Sequence, residues 1–319
     1  MALPFRTVAG LACALLLAAT GAPPGASAAT VLAAGTPHDA LFSIALAGGT
    51  GVAVGAGGKV LESADGGRSW MASALALKER AALLGVGLQR GHGIAVGQHG
   101  LVLVRAEDGR WNEVQSGTTA RLFAVGLNAS GRAVIGGAFG LVLKSEDGGM
   151  TWSSIAPAWG QVADGSDPSI YAVAVDDAGV ITIAGEFGLI LRSLDGGVRW
   201  RQLHKGEASL FGLTLRADGG GYAVGQNGTV LRTADGGATW KPVDASSTAN
   251  LLGVASSSDG RVYVCGMHEM LMSADEGRTW RRLVQPEAAL PWYAGVAVAP
   301  GGAEAITVGY AGQVVRLER

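Results

Sequence analysis

A short acidic box recurs along the chain and carries residue types that chemistry could use. It reads SADGGRSW at residues 63–70 and returns as SEDGGMTW at 145–152, SLDGGVRW at 193–200, TADGGATW at 233–240 and SADEGRTW at 273–280. A degenerate form, RAEDGRW, occupies residues 105–111. Each box offers a carboxylate, which could act as a general acid or as a structural hydrogen-bond acceptor in a turn.

The repetition favours the structural interpretation, because an enzyme needs its catalytic acid once or twice rather than in every repeat. An aspartate in a turn accepts hydrogen bonds from nearby backbone N–H groups, and glycines permit the positive φ angles that such a turn needs. The tryptophan that ends each box can bury its ring between neighbouring sheets. We therefore interpret the boxes as scaffold. The residues concerned are Asp65, Trp70, Asp147, Trp152, Asp195, Trp200, Asp235, Trp240, Asp275 and Trp280.

The spacing of the boxes predicts the architecture. Their tryptophans fall at positions 70, 111, 152, 200, 240 and 280, at intervals of 40 or 41 residues except for one of 48. Three short apolar runs precede each box and a fourth carries the tryptophan, which is the pattern of one blade of a β-propeller. A seventh unit at residues 292–319 has three such runs, and residues 29–36 could supply its missing strand. We predict an all-β, seven-bladed β-propeller of four-stranded antiparallel blades, whose last blade is closed by the N-terminal strand.

The first 28 residues have the features of a secretory signal peptide. Arg6 supplies the positive charge, an apolar segment follows, and Ala26 and Ala28 fit the small-residue cleavage pattern. Residues 29–319 would then form the propeller, exported to the periplasm or secreted. Cys265 would remain without a second cysteine, so we expect no intramolecular disulfide and a small buried thiol. No later segment is long and apolar enough to span a membrane.

Charge and motif content argue against several classes of function. The chain has 24 Lys and Arg against 26 Asp and Glu, a balance that gives no support to nucleic-acid binding. Its 5 histidines show no metal-ligand spacing. The stretch GAGGK at residues 55–59 lacks the first glycine of a phosphate-binding loop and leads into a strand rather than a helix. We expect no metal and no cofactor.

The boxes also carry a resemblance. Their pattern S-x-D-x-G-x-T-W resembles the Asp-box, or bacterial neuraminidase repeat, of sialidases and of several propellers that are not enzymes. The longer pattern GQNGTVLRTADGGATW at residues 225–240 resembles the photosystem II assembly and stability factors, which are exported seven-bladed propellers. This resemblance covers nearly all of the chain after residue 28. It implies an assembly scaffold that binds a protein or a membrane-protein complex at the cell envelope.

Members of that family are described as using an arginine-rich patch on one propeller face. In this sequence Arg80 and Arg121 are assigned to comparable positions, whereas Ser169, Ser209 and Asn250 stand at the matching places in later blades. The departure favours a more general interaction scaffold over photosystem binding.

The Asp-box resemblance leaves a second class open, a sialidase-like glycoside hydrolase or a glycan-binding lectin. Sialidases use an arginine cluster, an aspartic acid and a tyrosine nucleophile paired with a glutamate. The Arg-Ile-Pro motif that usually opens that family is absent, and no Tyr–Glu pair stands out. Arginines recur at the ends of third strands, which suggests a structural position: Arg105, Arg192, Arg232 and Arg316. We therefore predict a protein that is not an enzyme.

The turns between second and third strands differ from blade to blade, so they are where a partner is expected to bind. In a propeller these turns share a face with the connections between blades, opposite the acidic boxes. An insertion at residues 157–168 accounts for the 48-residue interval and offers Trp159, whereas Trp292 begins a first strand and is expected in the core. Glu269 belongs to the same turn as His268. The predicted partner-binding residues are Arg80, Gln98, His99, Arg121, Phe139, Trp159, Glu186, Phe187, Gln226, Asn227, His268 and Tyr310. The alternative is that they are ordinary solvated turns. We expect the protein to be a monomer under either interpretation.

Overall fold

The computed structural model describes residues 29–75, 77, 80–106, 108–163, 165–283 and 292–317. These residues form seven antiparallel sheets of four strands each, arranged as a β-propeller. The predicted all-β class, the number of blades and the closure of the last blade are confirmed. The predicted signal peptide lies outside the described residues.

Six blades use four consecutive strands each. Blade 1 consists of β2 (Leu41–Ala47), β3 (Thr50–Gly55), β4 (Val60–Ser63) and β5 (Met71–Ala72), and blade 2 of β6 (Leu83–Gln89), β7 (His92–Gly97), β8 (Val102–Arg105) and β9 (Trp111–Val114). Blade 3 consists of β10 (Leu122–Leu127), β11 (Ala133–Gly137), β12 (Val142–Ser145) and β13 (Ser153–Ser154), and blade 4 of β14 (Ile170–Val175), β15 (Ile181–Gly185), β16 (Ile190–Ser193) and β17 (Arg201–His204). Blade 5 consists of β18 (Leu210–Leu215), β19 (Gly221–Gly225), β20 (Val230–Thr233) and β21 (Lys241–Pro242), and blade 6 of β22 (Leu251–Ser256), β23 (Val262–Gly266), β24 (Met270–Ser273) and β25 (Arg281–Arg282).

Blade 7 joins the two ends of the chain. It contains β26 (Tyr293–Val298), β27 (Ala305–Gly309) and β28 (Val314–Leu317), and its outer strand is β1 (Ala29–Ala33). β1 runs antiparallel to β28, with Ala29 opposite Leu317 and Val31 opposite Val315. The pairing covers an edge of β28 that would otherwise be open to another chain.

The core lies between blades rather than within one central mass. Among the described residues, each of the seven boundaries between neighbouring blades contains its own cluster of buried apolar side chains. Six of these clusters each contain or contact one box tryptophan. The cluster between blades 6 and 7 has Ala29 of β1 packed against it instead. The six tryptophans are Trp70, Trp111, Trp152, Trp200, Trp240 and Trp280.

The five regular boxes form Asp–Trp turns, at residues 63–70, 145–152, 193–200, 233–240 and 273–280. In the turn of blade 3, Ser145 Oγ–H donates to Asp147 Oδ1 at 2.7 Å, and the Thr151 hydroxyl donates to Asp147 Oδ2 at 2.6 Å. The Thr151 backbone N–H also donates to Asp147 Oδ1 at 2.9 Å. The Trp152 indole N–H donates to the Gly149 carbonyl at 2.9 Å, so the ring is fixed to its own turn.

These hydrogen bonds decide between the two roles of the aspartates. The Thr151 and Ser145 hydroxyls lower the pKa of Asp147 to about 2, and the Thr279 hydroxyl and backbone lower that of Asp275 to about 2. The pKa of Asp65, Asp195 and Asp235 is lowered in the same way by their own turns. A carboxylate that loses its proton so readily cannot serve as a general acid near neutral pH.

The same pKa shifts predict acid sensitivity. A group whose pKa is lowered by folding stabilises the fold above its unfolded value of 3.8, and this contribution is lost as the pH falls through about 2. In Asp147→Asn/Asp275→Asn, the deficit in unfolding free energy relative to the parent protein should therefore shrink from pH 4 to pH 2. Denaturant titrations followed by tryptophan fluorescence across this range would check it. An equal deficit at every pH would contradict the assignment.

Backbone geometry separates the two faces of the propeller. In blades 1, 3, 5 and 6 the Asp–Trp turn touches the turn between the first and second strands of its blade, as where Gly148 N–H donates to the Gly131 carbonyl at 3.1 Å. On the opposite face, the turn between second and third strands touches the segment that enters the blade, as where Ala56 N–H donates to the Ala40 carbonyl at 2.9 Å. A Cβ atom at Gly55 would lie 1.9 Å from that carbonyl, so the second strand must end in glycine there. We call this second face the tip face.

Candidate functional site

The inner strand of every blade presents one side chain at the tip-face end of the central channel. In blade 1, Leu41 pairs with Gly55 and Ser43 with Val54, so Phe42 is the extra residue of a β-bulge. The same register shift recurs in the other six blades. A bulge changes the direction in which a side chain points, and the seven bulge residues line a central cavity of about 200 Å³. The side chains form what we call the mouth ring: Phe42, Leu84, Phe123, Tyr171, Phe211, Leu252 and Ala294.

The aromatic members of the mouth ring contact one another across blades. The Phe123 and Tyr171 ring centroids are 5.1 Å apart, and those of Tyr171 and Phe211 are 5.4 Å apart, both in tilted pairs. On the other side of the channel, Phe42 stacks on Trp292 with centroids 6.0 Å apart. Trp292 is therefore half-buried at the mouth rather than deep in the core. The mouth therefore contains large apolar rings, each of which is held in place by contact with a neighbouring ring.

A second set of apolar side chains projects from the tip turns. The tip turns lie at residues 56–58, 98–100, 138–140, 186–188, 226–228, 267–269 and 310–312, and the first, second, fourth and fifth form single 3₁₀ turns. The middle residue of each has a left-handed backbone, with φ of 55° at Phe139 and 59° at Phe187. Bulky residues rarely adopt this conformation, which costs roughly 1–2 kcal/mol for a residue with a Cβ atom. Phe139 is 82 % exposed and Phe187 is 44 % exposed, so folding does not account for either ring.

Other predicted tip residues divide between this position and the one before it. His99, Asn227 and His268 share the left-handed middle position with Phe139 and Phe187. Tyr310 opens its turn and is 38 % exposed, and its backbone N–H donates to the Trp292 carbonyl at 3.2 Å. All of these residues lie on the tip face. A role in binding a partner remains a prediction for each of them.

Three predicted tip residues use their side chains within the fold. Gln98 Oε1 accepts a hydrogen bond from the Ala82 backbone N–H at 3.1 Å, and Gln226 Oε1 accepts one from the Ser209 N–H at 2.9 Å. Glu186 Oε2 accepts from the Ser169 N–H at 2.8 Å. These side chains fix the segment that leads into the first strand, so they position the mouth ring whether or not they touch a partner.

Glu186 also completes a pair that the sequence does not single out. The Tyr171 hydroxyl donates to Glu186 Oε1 at 3.0 Å, at the mouth of the channel. Sialidases place a tyrosine and a glutamate together, but burial and this hydrogen bond raise the pKa of Tyr171. The raised pKa keeps the phenol protonated, so nucleophilic attack by Tyr171 would require Glu186 to accept its proton.

The recurrent arginines do not build the missing cluster. Arg105 donates from Nε to Glu62 of blade 1 at 2.8 Å, and Arg232 pairs with Glu276 of blade 6. These contacts join neighbouring blades on the face opposite the tips. The arrangement favours a structural role for Arg105 and Arg232, neither of which lies beside the Tyr171–Glu186 pair in the part of the chain that the structure describes.

The expectation that Trp159 offers its ring to a partner is not met. The insertion forms one helical turn, α1 (Trp159–Val162), and the indole is 8 % exposed within the cluster between blades 3 and 4. Its N–H donates to the Gly140 carbonyl at 2.9 Å, directly beneath the tip turn that carries Phe139. Trp159 therefore supports that turn from below.

Two further assignments change. Arg121 precedes β10, and its carbonyl accepts the tip-turn N–H of Ala138 at 2.9 Å. In blade 2 this position belongs to Ala82, not to Arg80, although Arg80 and Arg121 are both exposed. The predicted correspondence between Arg80 and Arg121 is therefore wrong.

Glu269 is buried rather than displayed, because it pairs with Arg282 and accepts a hydrogen bond from Ser247.

Within the described ranges, no three or more His, Cys, Asp or Glu side chains are grouped closely enough to hold a metal ion. Helices long and apolar enough to cross a bilayer are likewise absent from the residues that the structure describes. Burial raises the pKa of the Cys265 thiol to about 12, as expected for a small core residue.

These features define a seven-bladed β-propeller with an apolar mouth on one face. Residues 205–317, which contain blades 5 and 6 and the three C-terminal strands of blade 7, match the sequence model described as photosynthesis system II assembly factor YCF48. A search of curated protein sequences finds no match. The resemblance to photosystem II assembly factors is thus confirmed.

Solved structures agree in fold. A structure described as YCF48 bound to D1 peptide superposes with a TM-score of 0.72, covering 92 % of this chain and 97 % of that chain at 16 % identity. YCF48 from Cyanidioschyzon merolae gives 0.72, with 92 % and 99 % covered at 19 % identity. The GH74 xyloglucanase from Xanthomonas campestris gives 0.70, with 90 % and 53 % covered at 14 % identity. At these identities the likenesses show the propeller fold.

Proposed function

We propose that this protein is an exported scaffold, without enzymatic activity, that holds a protein or membrane-protein complex at the cell envelope through its tip face. The exposed phenylalanines in left-handed tip turns carry the proposal. They cost conformational energy and expose apolar surface, and both costs are understandable if the rings become buried against a partner.

The mouth ring supports the same face. Its cavity of about 200 Å³ is smaller than the pockets that usually hold small molecules. Aromatic anchors seated in preformed recesses dominate the energy of many protein interfaces. The YCF48 structure described as bound to D1 peptide adds a precedent for peptide binding by a propeller of this fold.

The double variant Phe139→Asn/Phe187→Asn separates binding from folding. Asn227 occupies the equivalent position in blade 5, and asparagine tolerates a left-handed backbone better than phenylalanine does. We expect the unfolding free energy to stay level or rise, while recovery of a partner from an envelope extract falls at least roughly tenfold, in line with the loss of two aromatic anchors. Quantitative mass spectrometry of the recovered proteins would measure the change.

Met71→Ser provides the matched control, because Met71 is exposed on the outer strand of blade 1 and Ser153 stands at the equivalent place in blade 3. Recovery that falls equally in the control would show that general surface hydrophobicity is responsible. Turnover of a fluorogenic sialoside by the purified protein would contradict the absence of enzymatic activity.

A further inference from the structure

The Asp–Trp turn of blade 4 differs from its counterparts in ways that the fold does not require. Leu194 follows the first serine of the box, where blades 1, 5 and 6 have Ala64, Ala234 and Ala274. Val198 follows the second glycine, where blades 1 and 6 have arginine and blade 5 has alanine. Because the same turn forms with small or charged residues at both positions, Leu194 and Val198 are not needed to build it.

Both side chains project into solvent. Leu194 is 74 % exposed and Val198 is 78 % exposed, and Met150, at the position of Val198 in neighbouring blade 3, is also exposed. They stand at the outer ends of turns, so they form protrusions rather than a recess. Apolar side chains on a protrusion do not form a recess in which a partner's side chain could be buried, but they can insert into the surface of a lipid bilayer.

The same turn is enriched in positive charge. Its box ends in Arg199-Trp200 and is followed by Arg201, whereas the other four regular boxes have serine or threonine in place of Arg199. The Arg199 Nε–H donates to Asp195 Oδ2 at 2.8 Å, replacing the hydroxyl used elsewhere, and its side chain remains 89 % exposed. Arg201 is exposed at the start of β17. Two exposed arginines therefore follow the two projecting aliphatic side chains closely in the chain.

We propose that the Asp–Trp turn of blade 4 is a membrane-surface anchor that takes the headgroups of an anionic bilayer. Leu194 and Val198 enter the boundary between headgroups and acyl chains, and Arg199 and Arg201 pair with lipid phosphates. Protruding segments that combine apolar and basic side chains bind such interfaces, because the burial of apolar area and the electrostatic attraction to lipid headgroups both contribute to the binding free energy. The anchor lies on the face opposite the tips, so it leaves the tip face free for a partner.

Co-sedimentation with vesicles tests the anchor. The purified protein is mixed with vesicles of equal parts phosphatidylglycerol and phosphatidylcholine, and in parallel with phosphatidylcholine alone. We expect binding to the anionic vesicles that weakens as salt increases. Leu194→Ala/Val198→Ala, which recreates the residues of blade 5, should lower the partition coefficient roughly tenfold, since partial burial of two aliphatic side chains is lost. Arg199→Thr/Arg201→Ser should lower it by a similar factor.

Arg278→Ala/Arg281→Ser is the charge-matched control, because it removes two exposed arginines from the equivalent turn of blade 6. The control should bind as the parent protein does. A loss in the control equal to that of Arg199→Thr/Arg201→Ser would assign binding to net charge and overturn the proposal. Failure of the parent protein to sediment with anionic vesicles would overturn it too, as would loss of a protein ligand, rather than of vesicles, in Leu194→Ala/Val198→Ala.

Discussion

A chain that begins at Ala34 is expected to unfold at a much lower denaturant concentration than one that begins at Ala29. The five residues of β1 provide the outer strand of blade 7, and their removal breaks the ladder with β28. Each ladder hydrogen bond contributes about 1 kcal/mol, and the contacts of Ala29, Leu32 and Ala33 with the flanking clusters are lost as well. The combined loss should reach several kcal/mol, as guanidinium titration followed by tryptophan fluorescence would show.

Truncation should also change the state of association. The newly exposed edge of β28 is a template for pairing with another chain, so the shortened protein should elute earlier on gel filtration. Val31→Thr is the control, because Val31 is exposed and threonine suits a strand equally well. A shortened chain with an unchanged midpoint would mean that the ring closes without β1.

The repeat explains why the architecture could be predicted from the sequence. A tryptophan at intervals of 40 or 41 residues, with one interval of 48, reports one packing position per blade, and six such positions plus one incomplete unit give seven blades. The incomplete unit also predicts its partner strand, since an open blade is unfavourable. Because the same local pattern recurs along the chain, the number of blades can be predicted despite the degenerate box at residues 105–111. In that box, Arg105 and Trp111 both donate hydrogen bonds to Glu62.

The mouth ring could not be predicted from the alternation of apolar residues. In a regular strand Phe42 and Leu41 would face opposite sides, but a bulge adds a residue and changes which side chain meets the channel. A signal was nevertheless present: four blades have phenylalanine or tyrosine as the second residue of the first strand, in LFSIAL, LFAVGL, IYAVAV and LFGLTL. Buried Glu269 gives no such signal, because its partners Ser247 and Arg282 are distant in sequence.

Trp159 lies in an insertion, and its burial could not be predicted from the spacing of the repeats. Its replacement is expected to have a large effect on stability. Trp159→Ala is expected to lower the unfolding free energy by about 3–5 kcal/mol, because the indole fills the cluster between blades 3 and 4. The variant also leaves the Gly140 carbonyl without its indole donor. Equilibrium denaturation of the parent protein and the variant would measure the difference.

Trp159→Phe distinguishes a core ring from a surface anchor. Phenylalanine restores most of the packing but not the hydrogen bond to Gly140, so about 1–3 kcal/mol of the loss should remain. Partner recovery should then stay close to that of the parent protein, because Phe139 keeps its supporting turn. If Trp159→Ala instead left unfolding unchanged while abolishing recovery, the indole would have to face the partner, and the packing between blades 3 and 4 would need a different account.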